Sequence, residues 1–198
     1  MESLVAKHLT DNKGCVYVTN SEYPSEVRKH MLGLGIPDSL VNSSKLLFID
    51  SYSAMSGLDS TEEFQVPSHT DLTALSMEIT KCLERLGPQT DVYLDSATIT
   101  LNSLRADYLL TFLQSIAGKV KSTSGKLVVT LGTGIDKLDI MKLEENSDCV
   151  IETELQDSSR GQTRRLRIKK LRDSSYNDRW TLFRIETGKG IIFLTQRM

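Results

Sequence analysis

Four short runs of this sequence have unbroken apolar centres: Cys15 to Thr19, Lys45 to Asp50, Asp91 to Ser96 and Lys126 to Leu131. A strand with one wet face alternates apolar and polar residues, whereas a strand covered on both faces does not. Between these runs lie stretches with apolar residues at helical spacing. Strands alternating with helices predict an α/β fold, a mostly parallel sheet with helices on both faces. A fifth strand, Cys149 to Leu155, closes this series, so that residues 1–157 form the α/β core. Residues 163–172, 180–185 and 190–194 then read as three strands with no helix between them. They predict a C-terminal antiparallel β-ribbon over 158–198, and one domain of 198 residues holds the whole.

Local signals set the helix limits. A helix over 2–11 is stopped at Gly14. Pro24 and Ser25 start a second, with Val27, His30, Met31 and Leu34 at helical spacing, and Gly33, Gly35 and Pro37 end it. Asp71 caps a third, an amphipathic helix through Leu72, Leu75, Met77, Ile79, Cys82 and Leu86, and Gly87-Pro88 closes it. Further helices are expected over 105–121 and 137–145. Residues 52–70 show no period, and a loop of that length in a compact domain is expected to be functional or mobile.

Composition excludes several classes. The net charge is −2, from 24 basic and 26 acidic residues, so the chain as a whole is not a basic nucleic-acid binder. Cys15, Cys82 and Cys149 are odd in number and far apart, which predicts reduced thiols rather than a disulfide framework or a zinc site. No apolar run approaches the roughly 18 residues of a membrane helix. Met1-Glu2-Ser3-Leu4 lacks the basic start of a signal peptide. The expectation is a soluble, cytoplasmic protein with no membrane partner.

In open α/β sheets, ligands gather at the carboxyl ends of the strands. Glu22, Asp50, Asp95 and the Gly132-Thr133-Gly134 turn belong to that edge. An Asp that follows four apolar residues has the form of a Walker B acid, which holds Mg²⁺ or its water. The same Asp-Ser pair also serves as a plain turn or helix cap. The phosphate loop GxxxxGK[ST] has no match in these residues. Gly132 to Lys137 comes nearest, but it lacks the second glycine and Asp136 would repel phosphate. Gly188-Lys189-Gly190 reads as a hairpin turn. GxSxG, HExxH and GxGxxG are missing too. Residues 160–172 carry seven basic side chains and no acid: Arg160, Arg164, Arg165, Arg167, Lys169, Lys170 and Arg172. As a strand, this run puts Arg165, Arg167 and Lys169 on one face and Leu166 and Ile168 on the other. Such a face can bind nucleic acid, nucleotide phosphate or an acidic partner, or simply protect a solvated edge strand.

The order of these features resembles KaiC-like domains of the RecA-like ATPase superfamily, and the archaeal signalling-type members in particular. The segment Val16-Tyr17-Val18-Thr19-Asn20-Ser21-Glu22-Tyr23-Pro24, followed by a helix and Leu34-Gly35-Ile36, is similar to the segment after that family's first helix. Asp95-Ser96 resembles its Walker B end. Arg165-Leu166-Arg167-Ile168-Lys169-Lys170-Leu171-Arg172 resembles its late strand ending in Lys-Leu-Arg, and Phe183-Arg184-Ile185 with Gly188 to Ile191 resembles its closing ribbon. The resemblance covers nearly the whole chain and implies a RecA-like fold.

It also implies two departures. The family begins with a strand, the phosphate loop and a helix, and this chain begins inside that helix. Of the family's paired glutamates after the first matching strand, the first position is Ser21 and only Glu22 remains. Serine is a far weaker proton acceptor than a carboxylate. The resemblance gives Lys170 and Arg172 a reach toward the phosphates of a neighbouring subunit in a ring. Each charge-assisted hydrogen bond to phosphate contributes roughly 1.5–3 kcal/mol. Losing several removes most of the ~8 kcal/mol of a micromolar site.

The expectation is a degenerate ATPase fold without hydrolysis or cofactor, acting as a signalling or protein-interaction module. Glu22, Asp95, Ser96, Lys170 and Arg172 would remain as nucleotide- or partner-binding residues, with Glu22 and Asp95 as catalytic remnants. One alternative is an oligomer that binds Mg-ATP, with phosphate contacts supplied in trans and Asp95 at the metal. Another is a nucleic-acid module using Arg164, Arg165, Arg167 and Lys169. Self-association as a homodimer or ring is expected, because a strand missing from inside a sheet leaves backbone groups to be paired.

Overall fold

The computed structural model describes residues 1–158 and 161–194. The chain divides into two compact units, Met1–Asp136 and Lys137–Met198.

In the first unit the elements run α1 (Glu2–Thr10), β1 (Cys15–Thr19), α2 (Pro24–Gly33), α3 (Asp38–Val41), β2 (Leu46–Asp50), β3 (Phe64–Gln65), α4 (Leu72–Leu86), β4 (Asp91–Asp95), α5 (Ala97–Ser103), α6 (Ala106–Ser122) and β5 (Leu127–Val129). The strands form one parallel sheet in the order β3-β2-β1-β4-β5. Alternation along β1 sorts the core. Val16 and Val18 enter a cluster with Leu75, Ile79, Leu109, Phe112 and Ile116, beneath α4 and α6. Cys15 and Tyr17 enter a second with Val5, Leu9, Val27 and Met31, beneath α1 and α2. Both faces are covered, which is why all five residues of β1 are buried. The expected caps are in place. Asp71 accepts a hydrogen bond from the Ala74 amide at 2.9 Å, and Pro24 opens α2.

The span 52–70 is less open than its sequence implies. It contains a 3₁₀ turn at Ser53–Ser56 and the edge strand β3. Arg28 holds it through Glu62, and Arg85 holds it through Glu63 at 2.5–2.6 Å while lying over the Phe64 ring. Five strands pair without an interior gap in this sheet.

The second unit runs α7 (Lys137–Asn146), β6 (Cys149–Ser158), β7 (Gly161–Leu171), β8 (Thr181–Glu186) and β9 (Gly190–Phe193). Its strands make a four-stranded antiparallel sheet, β6-β7-β8-β9. This corrects the expectation that 149–155 continues the parallel series. Ile151, Thr153 and Leu155 alternate with Glu152 and Glu154, a pattern suited to one wet face. The strand pairs with β7, with a bulge at Val150/Ile151.

The thiols differ sharply. Cys15 and Cys82 are buried, and burial pushes both up to about 12, whereas Cys149 is exposed. One thiol equivalent should therefore react with a disulfide reagent in the native protein and three in denaturant. The Cys149→Ser protein should show no native reaction. Two or more fast thiols would contradict the buried positions.

Candidate functional site

The parallel register brings β1, β2 and β4 to a common carboxyl edge, where Thr19 lies between Asp50 and Asp95. The expected residues Asp50 and Asp95 thus fall on one edge. Their environments differ.

Asp50 is a folding device. Burial alone would raise its carboxyl, but hydrogen bonds from Ser53 and Ser60 and from the amides of residues 53 and 52 outweigh it and hold the group below its ordinary range. The hydroxyl of Ser60 donates at 2.6 Å, and the amides of Tyr52 and Ser53 donate at 2.9 Å. Every bond turns the chain back over the end of β2. The plain-turn reading of this Asp-Ser pair is the one the geometry supports.

Asp95 is held differently. The Tyr17 hydroxyl donates to Oδ2 at 2.7 Å, and the Thr130 hydroxyl donates to Oδ1 at 2.6 Å. Tyr17 has no exposure. Burial first, and then the charge of Asp95, push its phenol far up, so it stays a donor. Both carboxylate oxygens are thus already engaged by protein hydroxyls. The peptide bond after Asp95 is cis, and Ser96 occupies the N-cap position of α5 without a side-chain cap bond. The Ser96 carbonyl accepts from Asn20 Nδ2 at 3.2 Å.

Glu22 follows β1 in the turn before α2. Its carboxyl is raised by burial, helped by the charge of Asp95 and opposed by His30. The His30 Nδ1 lies 3.3 Å from its Oε2. Ser21 is exposed.

Three buried side-chain oxygens lack a partner among the described residues: Thr19 Oγ1, Asn20 Oδ1 and Ser51 Oγ. All three stand at this edge. Leaving such a group unpaired costs about 1–3 kcal/mol, so the edge is not arranged for stability alone. Sequence reasoning missed Tyr17, Thr130 and this trio. Tyr17 shares a face of β1 with Thr19, and the β1–β4 register pairs Thr19 with Asp95, a link that needs strand order as well as sequence.

Each Asp95 oxygen accepts one protein hydroxyl and keeps a further lone pair, and no group of three or more His, Cys, Asp or Glu able to hold a metal occurs among the described residues.

The basic run lies in the second unit. The expected facing holds for two of its three residues, Arg165 pairing with Glu154 and Arg167 with Glu152 across β6, at 2.8 and 2.7 Å, while the bulge interrupts the alternation at Lys169. Both guanidinium groups also stack on Trp180, at 4.6 and 4.7 Å from its ring. Lys169 meets Glu144 at 2.7 Å. Lys170 donates to the carbonyls of Glu144 and Glu145 at 2.8 Å, capping the end of α7, where a cation is favoured. Arg172 pairs with Asp148 at 2.9 Å. Arg164 has no such partner, and Arg160 lies outside the described residues.

A parallel sheet with an acid closing β4, helices on both faces and an antiparallel sheet following in the chain is a RecA-like α/β fold. A solved KaiC-like protein of the hyperthermophilic archaeon Pyrococcus horikoshii OT3 has this fold, with a TM-score of 0.71 and 15% identity over 96% of this chain and 80% of that one. The family model described as "ATPase: KaiC" matches residues 3–198, so the chain belongs to the KaiC ATPase family. No curated protein matches it. Among the described residues no helix is long and apolar enough to cross a membrane.

Proposed function

We propose that this KaiC-family domain works without nucleotide hydrolysis, as a signalling or protein-interaction module. The observation that carries the reading is the state of Asp95, whose two oxygens accept hydrogen bonds from Tyr17 and Thr130. A Mg²⁺ ion or its water would have to share these two oxygens with the hydroxyls that already hold them. Two further features support it. Glu22, at the position of a water-activating base, has its carboxyl raised by burial and sits against His30. Lys170 and Arg172, the candidates for a neighbour's phosphates, are engaged within their own unit by α7 carbonyls and Asp148. Neutralisation of Arg165, Arg167 and Lys169 by acids of β6 and α7 also weighs against the nucleic-acid alternative.

Thermal unfolding with Mg-ATP tests the proposal. A ligand at 100 times its dissociation constant adds about 2.7 kcal/mol to the folded state. The expected result is an unchanged Tm at millimolar Mg-ATP and no phosphate release. A rise of several degrees, or turnover that vanishes in Asp95→Ala, would overturn it and favour the oligomeric ATP-binding alternative.

A further inference from the structure

His8, in the last turn of α1, faces two oxygens at once. Its Nδ1 lies 3.2 Å from Asp91 Oδ2, and its Nε2 lies 3.1 Å from the Gln89 carbonyl oxygen. An ionised carboxylate and a carbonyl can only accept a hydrogen bond. A neutral imidazole carries one N–H, so it satisfies one of these oxygens and turns a lone pair toward the other. The doubly protonated ring donates to both.

The surroundings favour that charge. Asp91 opens β4 and is 4% exposed. Its Oδ1 accepts from the Lys126 amide at 2.7 Å, while its Oδ2 takes a long bond of 3.4 Å from the Tyr93 hydroxyl. A buried carboxylate is costly unless a cation pairs with it. The other titratable groups packed here are neutral. Cys15 stands opposite Asp91 in the β1–β4 register, and burial, then the charge of Asp91, push its thiol up to about 12. Burial first, and then Cys15 and Asp91, push the Tyr93 phenol far up. On its own element the ring lies at a helix C-terminus, which favours a cation. Asp11 is the anion near it there, paired with Lys7 at 2.8 Å, with Lys13 in the turn beyond. Of all these residue types, imidazole alone ordinarily changes charge near neutrality.

We propose that α1 is latched to the sheet by a proton held on His8, and that loss of this proton loosens α1 and uncovers Cys15. The latch closes over apolar contacts: Val5 and Leu9 of α1 pack with Cys15 and Tyr17 of β1, and the Cys15 thiol donates to the Val5 carbonyl at 3.9 Å. Docking then takes up a proton. The docked state binds more protons than the released one, so docking is strongest in acid and weakens as pH rises. The latch makes no use of the Asp95 edge and stands apart from the signalling reading above.

The test uses the full chain carrying Cys149→Ser, which leaves Cys15 and Cys82 as the thiols. Both are buried, but Cys82 lies in the cluster beneath α4 and not under α1. Their labelling by a disulfide reagent is followed by mass spectrometry between about pH 5.5 and about pH 8.5, a range that brackets the ordinary imidazole value. Thiolate formation and global unfolding accelerate both thiols, so the Cys15-to-Cys82 rate ratio reads the release of α1 alone. The expected result is a ratio that rises at least five-fold across this range. In the additional variant His8→Gln the ratio should be high and flat, since an uncharged amide cannot hold both oxygens. Nitrogen-15 chemical shifts of the His8 ring give a readout that needs no variant of His8: both nitrogens should be protonated at about pH 5.5 in the folded protein, and one should lose its proton over the same range in which the ratio climbs. A flat ratio in the protein with His8, or the same rise in His8→Gln, would overturn the proposal. So would a ring that carries a single proton at the acid end while α1 remains docked.

Discussion

Replacing Asp95 with Ala should lower the stability of the fold by about 2–4 kcal/mol, without loss of any ATP turnover. The stability estimate comes from the hydroxyls it strands. Tyr17 and Thr130 each donate to a carboxylate oxygen, at 2.7 and 2.6 Å. A hydrogen bond to a charged acceptor contributes about 1.5–3 kcal/mol, and a buried donor left alone costs a similar amount. Relief of the carboxylate's own desolvation offsets part of the sum. Tyr17 is fully buried and cannot turn to water. For a chain of this size the loss reads as a Tm lower by roughly 5–15 °C. Asp95→Asn retains an acceptor for one hydroxyl and should fall about half as far. The order Ala below Asn below wild type, by calorimetry, is the expected signature. An acid kept for metal would behave oppositely: its removal would abolish turnover and leave Tm level or higher, because a strained charge is gone.

The legible part of the molecule is the part governed by local pattern. Val16-Tyr17-Val18 and Val92-Tyr93-Leu94 could be read as strands covered on both faces because no polar residue interrupts them. Asp71 could be read as a cap because a helical stripe begins at the next residue. Three features were hidden. Ala97-Thr98-Ile99-Thr100 forms the first turn of α5, yet its β-branched residues are weak helix formers. Phe64-Gln65 is a two-residue strand fixed only by its pairing with Ile49 and Asp50. The acids that neutralise the basic run, Glu152 and Glu154, sit on the neighbouring strand, and hairpin register alone pairs them with Arg167 and Arg165. The edge was legible in the same measure. Its acids announce themselves at strand ends, but Tyr17 reads as core until parallel register puts it beside Asp95.

The second large effect concerns Gly125, and its cause is not the usual one for a glycine after a helix. α6 ends in a Schellman arrangement: the Gly125 amide bonds the Val120 carbonyl at 3.0 Å, and the Ser124 amide bonds the Lys121 carbonyl at 3.0 Å. The left-handed position in that motif belongs to Ser124, at φ 61°. Gly125 is needed for closeness instead. A Cβ there would stand 1.9 Å from the Thr90 carbonyl oxygen and 2.9 Å from its carbon. Neither side can retreat cheaply. Thr90 is fully buried and precedes β4, and its hydroxyl donates to the Gly87 carbonyl at 2.8 Å. The Gln89 amide is tied to the Thr123 carbonyl at 2.7 Å. Gly125→Ala must therefore separate α6 from the start of β4, both of which carry core residues. The expected loss is at least about 3 kcal/mol, at the upper end for overpacking, out of the 5–15 kcal/mol typical of a domain. Ser124→Gly, one residue earlier, should do the reverse and gain about 0.5–1 kcal/mol by relieving the left-handed serine. Chemical denaturation of the two variants separates the causes. If Gly125→Ala matched wild type while Ser124→Gly was neutral, the close approach of the α6 turn to Thr90 would be refuted.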